Sequence, residues 1–146
     1  MRKATDELRK THALVETVLE KFDVKSERFV GIAQTLRRTL RAHAWLQDEI
    51  LVPVLRVKLF GENPFIREMT RDHVELDRLL TALIDTAPTG AERESQAAHI
   101  KTLLAAHFKK ESAALYPRAE LAIDPQTLHK LAEEMENRKS EMRGIV

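Results

Sequence analysis

The chain has no cysteine, only four glycines and five prolines, and a single tryptophan and tyrosine among 146 residues. Without thiols it forms neither disulfides nor zinc–thiolate or iron–sulfur sites, so any metal must be held by nitrogen and oxygen. Neither sign of charge dominates. The 24 basic and 23 acidic residues are interspersed and leave a formal net charge of +1. That balance gives no phosphate-binding face and no nucleic-acid partner, and the short run Arg37, Arg38, Arg41 reads as a solvated helix face. No apolar run approaches the ~20 residues needed to span a bilayer, so no membrane partner is expected. The start, Met1 to Asp6, lacks the apolar stretch of a signal peptide. The expectation is one cytoplasmic domain, residues 1–146, large enough to bury its own core.

The few glycines and prolines mostly mark segment ends. A first helix is expected from about Asp6 to Phe22. Ser26 is a candidate N-cap for a second, which continues past Pro53 to about Lys58. Gly61-Glu62-Asn63-Pro64 is a break, with Asn63 as cap and Pro64 in the first turn of a third helix. That helix fades near Asp85-Thr86-Ala87-Pro88. Thr89 and Glu92 have the spacing of a capping box for a fourth helix. Asp124-Pro125 repeats the cap-then-proline signal for a fifth, at about 125–143, with an apolar side of Leu128, Leu131, Ala132, Met135 and Met142. Strand alternation is absent, so the fold class is all-α.

Four helical segments each carry a histidine inside an apolar stripe of helical spacing. The stripes are Leu8, His12, Val15, Leu19, Phe22; then Leu36, Leu40, His43, Gln47, Ile50, Val54; then Ile66, Met69, His73, Leu76, Leu80, Leu83; and Ile100, Leu103, His107, Glu111, Ala114. Residues so spaced share one face, and in a bundle that face points inward. One buried histidine is ordinarily just a hydrogen-bonded core residue. Four on one core, with Glu111 a turn beyond the last, would leave too many polar groups unpaired in a dry interior, which points to a metal. The chain from His43 to Pro53 parallels that from His107 to Pro117, with proline ten residues after histidine in both. Proline inside a helix removes a hydrogen bond and kinks it, so the two kinks suggest related halves of one bundle.

Imidazole and carboxylate together suit iron, zinc or manganese. Glu111 lies about 40° round the helix from His107, and Asp77 stands in the same relation to His73. On the second helix the equivalent place is Gln47, a weak neutral ligand. Asp48 lies about 140° from His43 in ideal geometry and reaches the site only if the helix is locally distorted. Glu16 flanks the first stripe and is the weakest candidate. His99 and His129 fall outside the stripes. Trp45 and Tyr116 read as packing or surface cover, and Met69 and Met135 as ordinary core filling.

His12, His43 with Pro53, His73, and His107-x-x-x-Glu111 with Tyr116-Pro117 resemble the hemerythrin-like cation-binding domain family, over about residues 5–120. The resemblance implies an up-down-up-down four-helix bundle around a non-haem di-iron centre, to which the fifth helix is an addition. It further implies that His12 and His43 serve one iron, that His73 and His107 serve the other, and that Glu111 is one of two bridging carboxylates, with dioxygen able to bind at an open iron position. Two departures stand out. Gln47 occupies the usual second bridging place, leaving Asp48 as the substitute. Asp77 stands where oxygen carriers have another histidine. The metal candidates are therefore His12, His43, Asp48, His73, Asp77, His107 and Glu111. The expected function is a di-iron or other divalent-metal protein that binds or senses dioxygen or a related small oxidant, or handles iron. Oxygen transport is not expected. Two rivals stand beside it. A ferritin-like di-iron oxidase would need Glu-x-x-His pairs, of which this chain has none, and a zinc hydrolase His-Glu-x-x-His motif is missing too. A helical interaction module with a degenerate site is kept open by Gln47. No protein partner can be named, and a homo-oligomer stays open.

Overall fold

A computed structural model describes residues 1–59, 61 and 63–142. Among these residues the chain is helix, turn or loop, without strands. The helices are α1 (Ala4–Glu20), α2 (Phe29–Leu46), α3 (Val52–Lys58), α4 (Pro64–Thr86), α5 (Gly90–Lys110), α6 (Tyr116–Ala122) and α7 (Pro125–Met142). A π-helical turn at Gln47–Leu51 joins α2 to α3, and another at Glu111–Leu115 joins α5 to α6. Four rods result, α1, α2–α3, α4 and α5–α6, with α7 laid against α1. None of the described helices is long and apolar enough to cross a membrane.

The two π turns account for both prolines. Pro53 and Pro117 have no N–H to give the preceding turn, and their rings would strike its carbonyl. Widening that turn by one residue removes the collision. Accordingly, the Val52 N–H reaches Gln47 O and the Tyr116 N–H reaches Glu111 O, five residues back in each case. The repeat seen in the sequence is thus a repeat of backbone geometry, and each π turn opens on the residue four after a histidine.

Local signals place most of the helix ends. Asn63 accepts the Phe65 N–H at 2.8 Å, and Asp124 accepts that of Thr127 at 3.0 Å. Three expectations are corrected. The first helix starts earlier, at Ala4, because Asp6 reaches back to the Lys3 N–H at 2.9 Å. Ser26 caps only a turn, accepting the Arg28 N–H at 3.1 Å; α2 begins at Phe29, whose ring stacks on Phe22 at 4.7 Å. The Thr89 side chain makes no capping bond. Arg93 ties that corner instead, donating to Pro88 O at 2.8 Å and to Val24 O at 3.2 Å. Glu62 in the expected break and residue 143 at the expected end of the fifth helix lie outside the described residues.

The apolar core falls into two clusters. One gathers Leu8, Leu46, Ile50, Ile66, Met69, Leu115 and the inner face of α7; the other gathers Val15, Phe22, Phe29, Leu36, Leu40, Leu76, Leu80 and Leu104. Along α1 and α4 the chain passes from the first cluster to the second, and along α2 and α5 from the second to the first. That alternation is the up-down-up-down bundle. Every histidine of the stripes lies at the crossing, so the polar residues form a layer between two greasy halves. On the fourth stripe the buried positions are Leu104 and Leu115, whereas Leu103 and Ala114 are only half-buried; past Glu111 the π turn shifts the inward face by one residue.

Helix α7 is pinned by a buried carboxylate. Glu7 pairs with Arg2 at 2.7 Å, with Lys139 of α7 at 2.7 Å and with Lys10 at 3.5 Å. Burial, the strongest single influence, pushes its carboxyl up, but Lys139, Arg2 and Lys10 together outweigh it and hold Glu7 below the usual 4.5. A depressed folded-state value means that the stabilisation exists above about pH 4.5 and is lost as pH falls further. Glu7→Gln is therefore expected to lower the melting temperature at pH 7. Wild type and variant should converge in acid, and a gap unchanged from pH 7 to pH 3 would refute the ionic role.

Candidate metal centre

Glu111 sits at the middle of the polar layer, fully buried, at the first position of the second π turn. His12 Nε2 lies 2.8 Å from its Oε1, His43 Nε2 3.1 Å and His107 Nε2 3.0 Å, while His73 Nε2 is 3.5 Å from Oε2. Donor atoms of His43, His73, His107 and Glu111 all lie within 4.8 Å of one another. Four elements contribute: α2, α4, α5 and the π turn that α5 runs into.

The opposite ring nitrogens decide what these Nε2 atoms can do. His73 Nδ1 faces Asp48 Oδ2 at 2.8 Å, and His107 Nδ1 faces Asp72 Oδ2 at 2.9 Å. A carboxylate can only accept, so each Nδ1 carries the proton and each Nε2 presents a lone pair. His43 Nδ1 faces Thr11 Oγ1 at 2.6 Å. The Thr11 hydroxyl proton is taken by Leu8 O at 2.7 Å, so Thr11 accepts from His43 and leaves its Nε2 bare as well. When His73 is neutral, three lone pairs and one carboxylate thus converge with no hydrogen to share. Indeed, His73 Nε2 and His107 Nε2 are buried without a hydrogen-bond partner. Buried acceptors without donors are costly, and a cation is what such a set fits.

The electrostatics agree. Burial drives His43 down to about 4, against the pull of Glu111. Burial also pulls on His73, but hydrogen bonds to Asp48 and Glu111 outweigh it and raise the ring to about 9. Glu111 is held well below the usual carboxylate range despite burial, through His43, His107 and His12. In the protein alone a proton on His73 offsets part of the cluster's negative charge.

The remaining candidates stand in different relations to this point. His12 is buried and touches Glu111, and its Nε2 is also 3.0 Å from the Tyr116 hydroxyl. Asp48 is turned by the first π turn onto the back of His73. Asp77 is not brought to the cluster: it lies at the surface, bound by Arg41 Nε at 2.6 Å. Regular α4 leaves the residue four after His73 at the edge of the rod, where Arg41 of α2 takes it. Glu16 is exposed. Gln47 is fully buried, donating its amide to Glu111 Oε2 and accepting the Tyr116 hydroxyl at 3.0 Å. Tyr116 is therefore part of the polar network, contrary to its reading as packing. Trp45 does lie at the surface, with Arg138 over its ring at 5.5 Å. Asp72 and Thr11 were missed; each directly precedes a stripe histidine, about 100° round its helix, and so faces the histidine of a neighbouring rod.

A cleft of about 480 Å³ between α2 and α4 opens onto this layer, lined by Leu40, Ala44, Trp45, Asp48, His73 and Leu76 among others, with Arg41 and Asp77 also on its walls. Of the four clustered residues, His73 keeps the most exposure, at 8 %.

Comparison with known proteins places these features in a family. The family described as hemerythrin HHE cation binding domain matches residues 2–119. A crystal structure of a hemerythrin HHE cation binding domain-containing protein from Mycobacterium kansasii is similar in fold, with a TM-score of 0.82 at 23 % identity, covering 99 % of this chain and 89 % of that one. No curated protein matches the sequence.

Proposed function

The chain belongs to the hemerythrin HHE cation-binding domain family, and on that premise we propose that it holds non-haem iron and uses it to bind or sense dioxygen or a related small oxidant. The observation that carries this reading is the convergence on the Glu111 carboxylate of three Nε2 atoms that each present a lone pair when their ring is neutral. His43, His73, His107 and Glu111 would hold the cation. Asp48, Asp72 and Thr11 fix the ring orientations and strengthen the imidazoles as donors. Zinc and manganese accept the same nitrogen–oxygen set; the pairing of two rings with carboxylates favours a metal that profits from added negative charge, as iron does on oxidation. Iron bound there supplies one-electron and oxygen chemistry. The protein contributes a dry, shaped pocket. Phe108 stacks on His12 at 4.0 Å, and the cleft beside His73 admits molecules of a few atoms past Leu40 and Trp45.

A metal-free interaction module is disfavoured by the same geometry, since it would gain nothing from leaving His73 Nε2 and His107 Nε2 without partners. The test is purification under anaerobic conditions from iron-replete cells, elemental analysis, and an absorption spectrum before and after air. Bound iron and a new near-ultraviolet to visible band on air exposure are expected. Protein free of iron, zinc and manganese would sink the cation reading. Bound iron with an unchanged spectrum would remove the oxidant.

A further inference from the structure

A carboxylate shared between two cations must present one oxygen to each, with a separate set of ligands around each oxygen. Glu111 is not surrounded in that way. Its Oε1 is approached by His12 at 2.8 Å, His43 at 3.1 Å and His107 at 3.0 Å, so histidines from both halves of the bundle crowd the same atom. Its Oε2 has His73 Nε2 farther off, at 3.5 Å, and is covered by the Gln47 amide, which donates a hydrogen to it. That N–H puts partial positive charge on the lone pair a second cation would use.

Gln47 is not free to turn over. Its Oε1 accepts the Tyr116 hydroxyl at 3.0 Å, and a flipped amide would set an acceptor against the carboxylate and strand that hydroxyl. Tyr116 is fully buried, so its hydroxyl has no water to fall back on. The same phenol oxygen lies 3.0 Å from His12 Nε2, which itself points at Glu111 Oε1. His12 must donate there, so it carries its proton on Nε2, the reverse of the arrangement at His43, His73 and His107. Its inward nitrogen offers a hydrogen where the other three offer lone pairs.

We propose that the centre takes a single cation, held by His43, His73, His107 and Glu111, and that Gln47, Tyr116 and His12 form a hydrogen-bonded clamp where a second cation would sit. The proposal rests on the cation-binding reading above and departs from the two-iron pattern that the family resemblance implies.

Anaerobic addition of excess ferrous iron to the chelator-stripped full chain, followed by native mass spectrometry and elemental analysis, counts the cations. One per chain is expected for wild type and for Tyr116→Phe, in which Gln47 still covers Glu111. Gln47→Glu, which supplies a second anionic oxygen at nearly constant volume, is expected to take two. The spin count after oxidation is an independent readout. One isolated ferric ion gives a paramagnetic resonance signal integrating to one spin system per chain, whereas a coupled ferric pair is silent at low temperature. Two irons in wild type, or a silent ferric form, would overturn the single-cation centre. A Gln47→Glu chain that folds and still takes one would overturn the clamp, and if that variant does not fold the wild-type count and spin signal decide. No iron in wild type would overturn both the proposal and the cation-binding reading beneath it.

Discussion

Glu111→Gln is expected to abolish cation binding while leaving the protein folded. The substitution keeps the volume of the side chain, so packing in the polar layer changes little. What it removes is the one carboxylate, among the described residues, that the inward nitrogens of His43, His73 and His107 converge on. The new amide can also donate, and two buried imidazole nitrogens that lack a partner stand ready to accept. Above about pH 9, where His73 has lost its proton, the metal-free variant should thus melt no lower than metal-free wild type, because an electron-rich cluster has been given hydrogens. Asp72→Asn and Asp48→Asn calibrate the loss. Each weakens only the hydrogen bond that orients a ring, and such partners are typically worth about 10- to 100-fold in metal affinity. Glu111→Gln should exceed the top of that range, beyond about 100-fold, in competition against a chromophoric chelator. Near-wild-type affinity in Glu111→Gln would place the cation somewhere other than this cluster. Equal affinity in Asp72→Asn would show that the His107 ring is held by packing alone.

The architecture was legible because hydrophobic periodicity is set by each helix separately. The stripes of α1, α2 and α4 were read almost residue for residue, and so were their histidines, including His73 with Met69 and Leu76 on either side. The two prolines, ten residues after His43 and His107, announced the places where the helices open into π turns. The site was legible only in part, because its outer layer is built between rods. Asp77 satisfies the spacing rule for a ligand as well as Glu111 does, but nothing in spacing reveals that Arg41 on another helix binds it. Asp72, Thr11 and Tyr116 failed the same angular test, which asks whether a residue shares its own helix's inward face. Asp72 and Thr11 serve the histidine of the next rod, and Tyr116 is swung inward by the π turn before it. Angular reasoning from ideal helices also left Leu115 out of the fourth stripe for that reason.

Stripping the cation from wild type is expected to lower the melting temperature by about 10 °C at neutral pH. A ligand that binds only the folded chain adds about 4 kcal/mol when its free concentration is 1,000 times the dissociation constant. Each kcal/mol moves the midpoint of a domain this size by about 2–4 °C. The shift should also depend on pH in a direction set by His73. In the protein without a cation, Asp48 and Glu111 hold that ring up at about 9, so at neutral pH a proton stands in for part of the missing positive charge. His43, pushed down to about 4 by burial, cannot do the same. A folded-state value raised above the ordinary 6.5 means that the protonated ring's contribution is complete below that pH and disappears as pH rises through about 9. In the loaded protein the proposed cation would occupy that nitrogen, and no such loss is expected. The gap between loaded and chelated protein should accordingly widen between pH 7 and pH 10, the chelated form alone losing stability. Scanning calorimetry at several pH values, with and without chelator, measures both quantities. A gap that stays constant over that range would remove the proton from His73. Identical curves at every pH would mean that the converging lone pairs are satisfied without any cation.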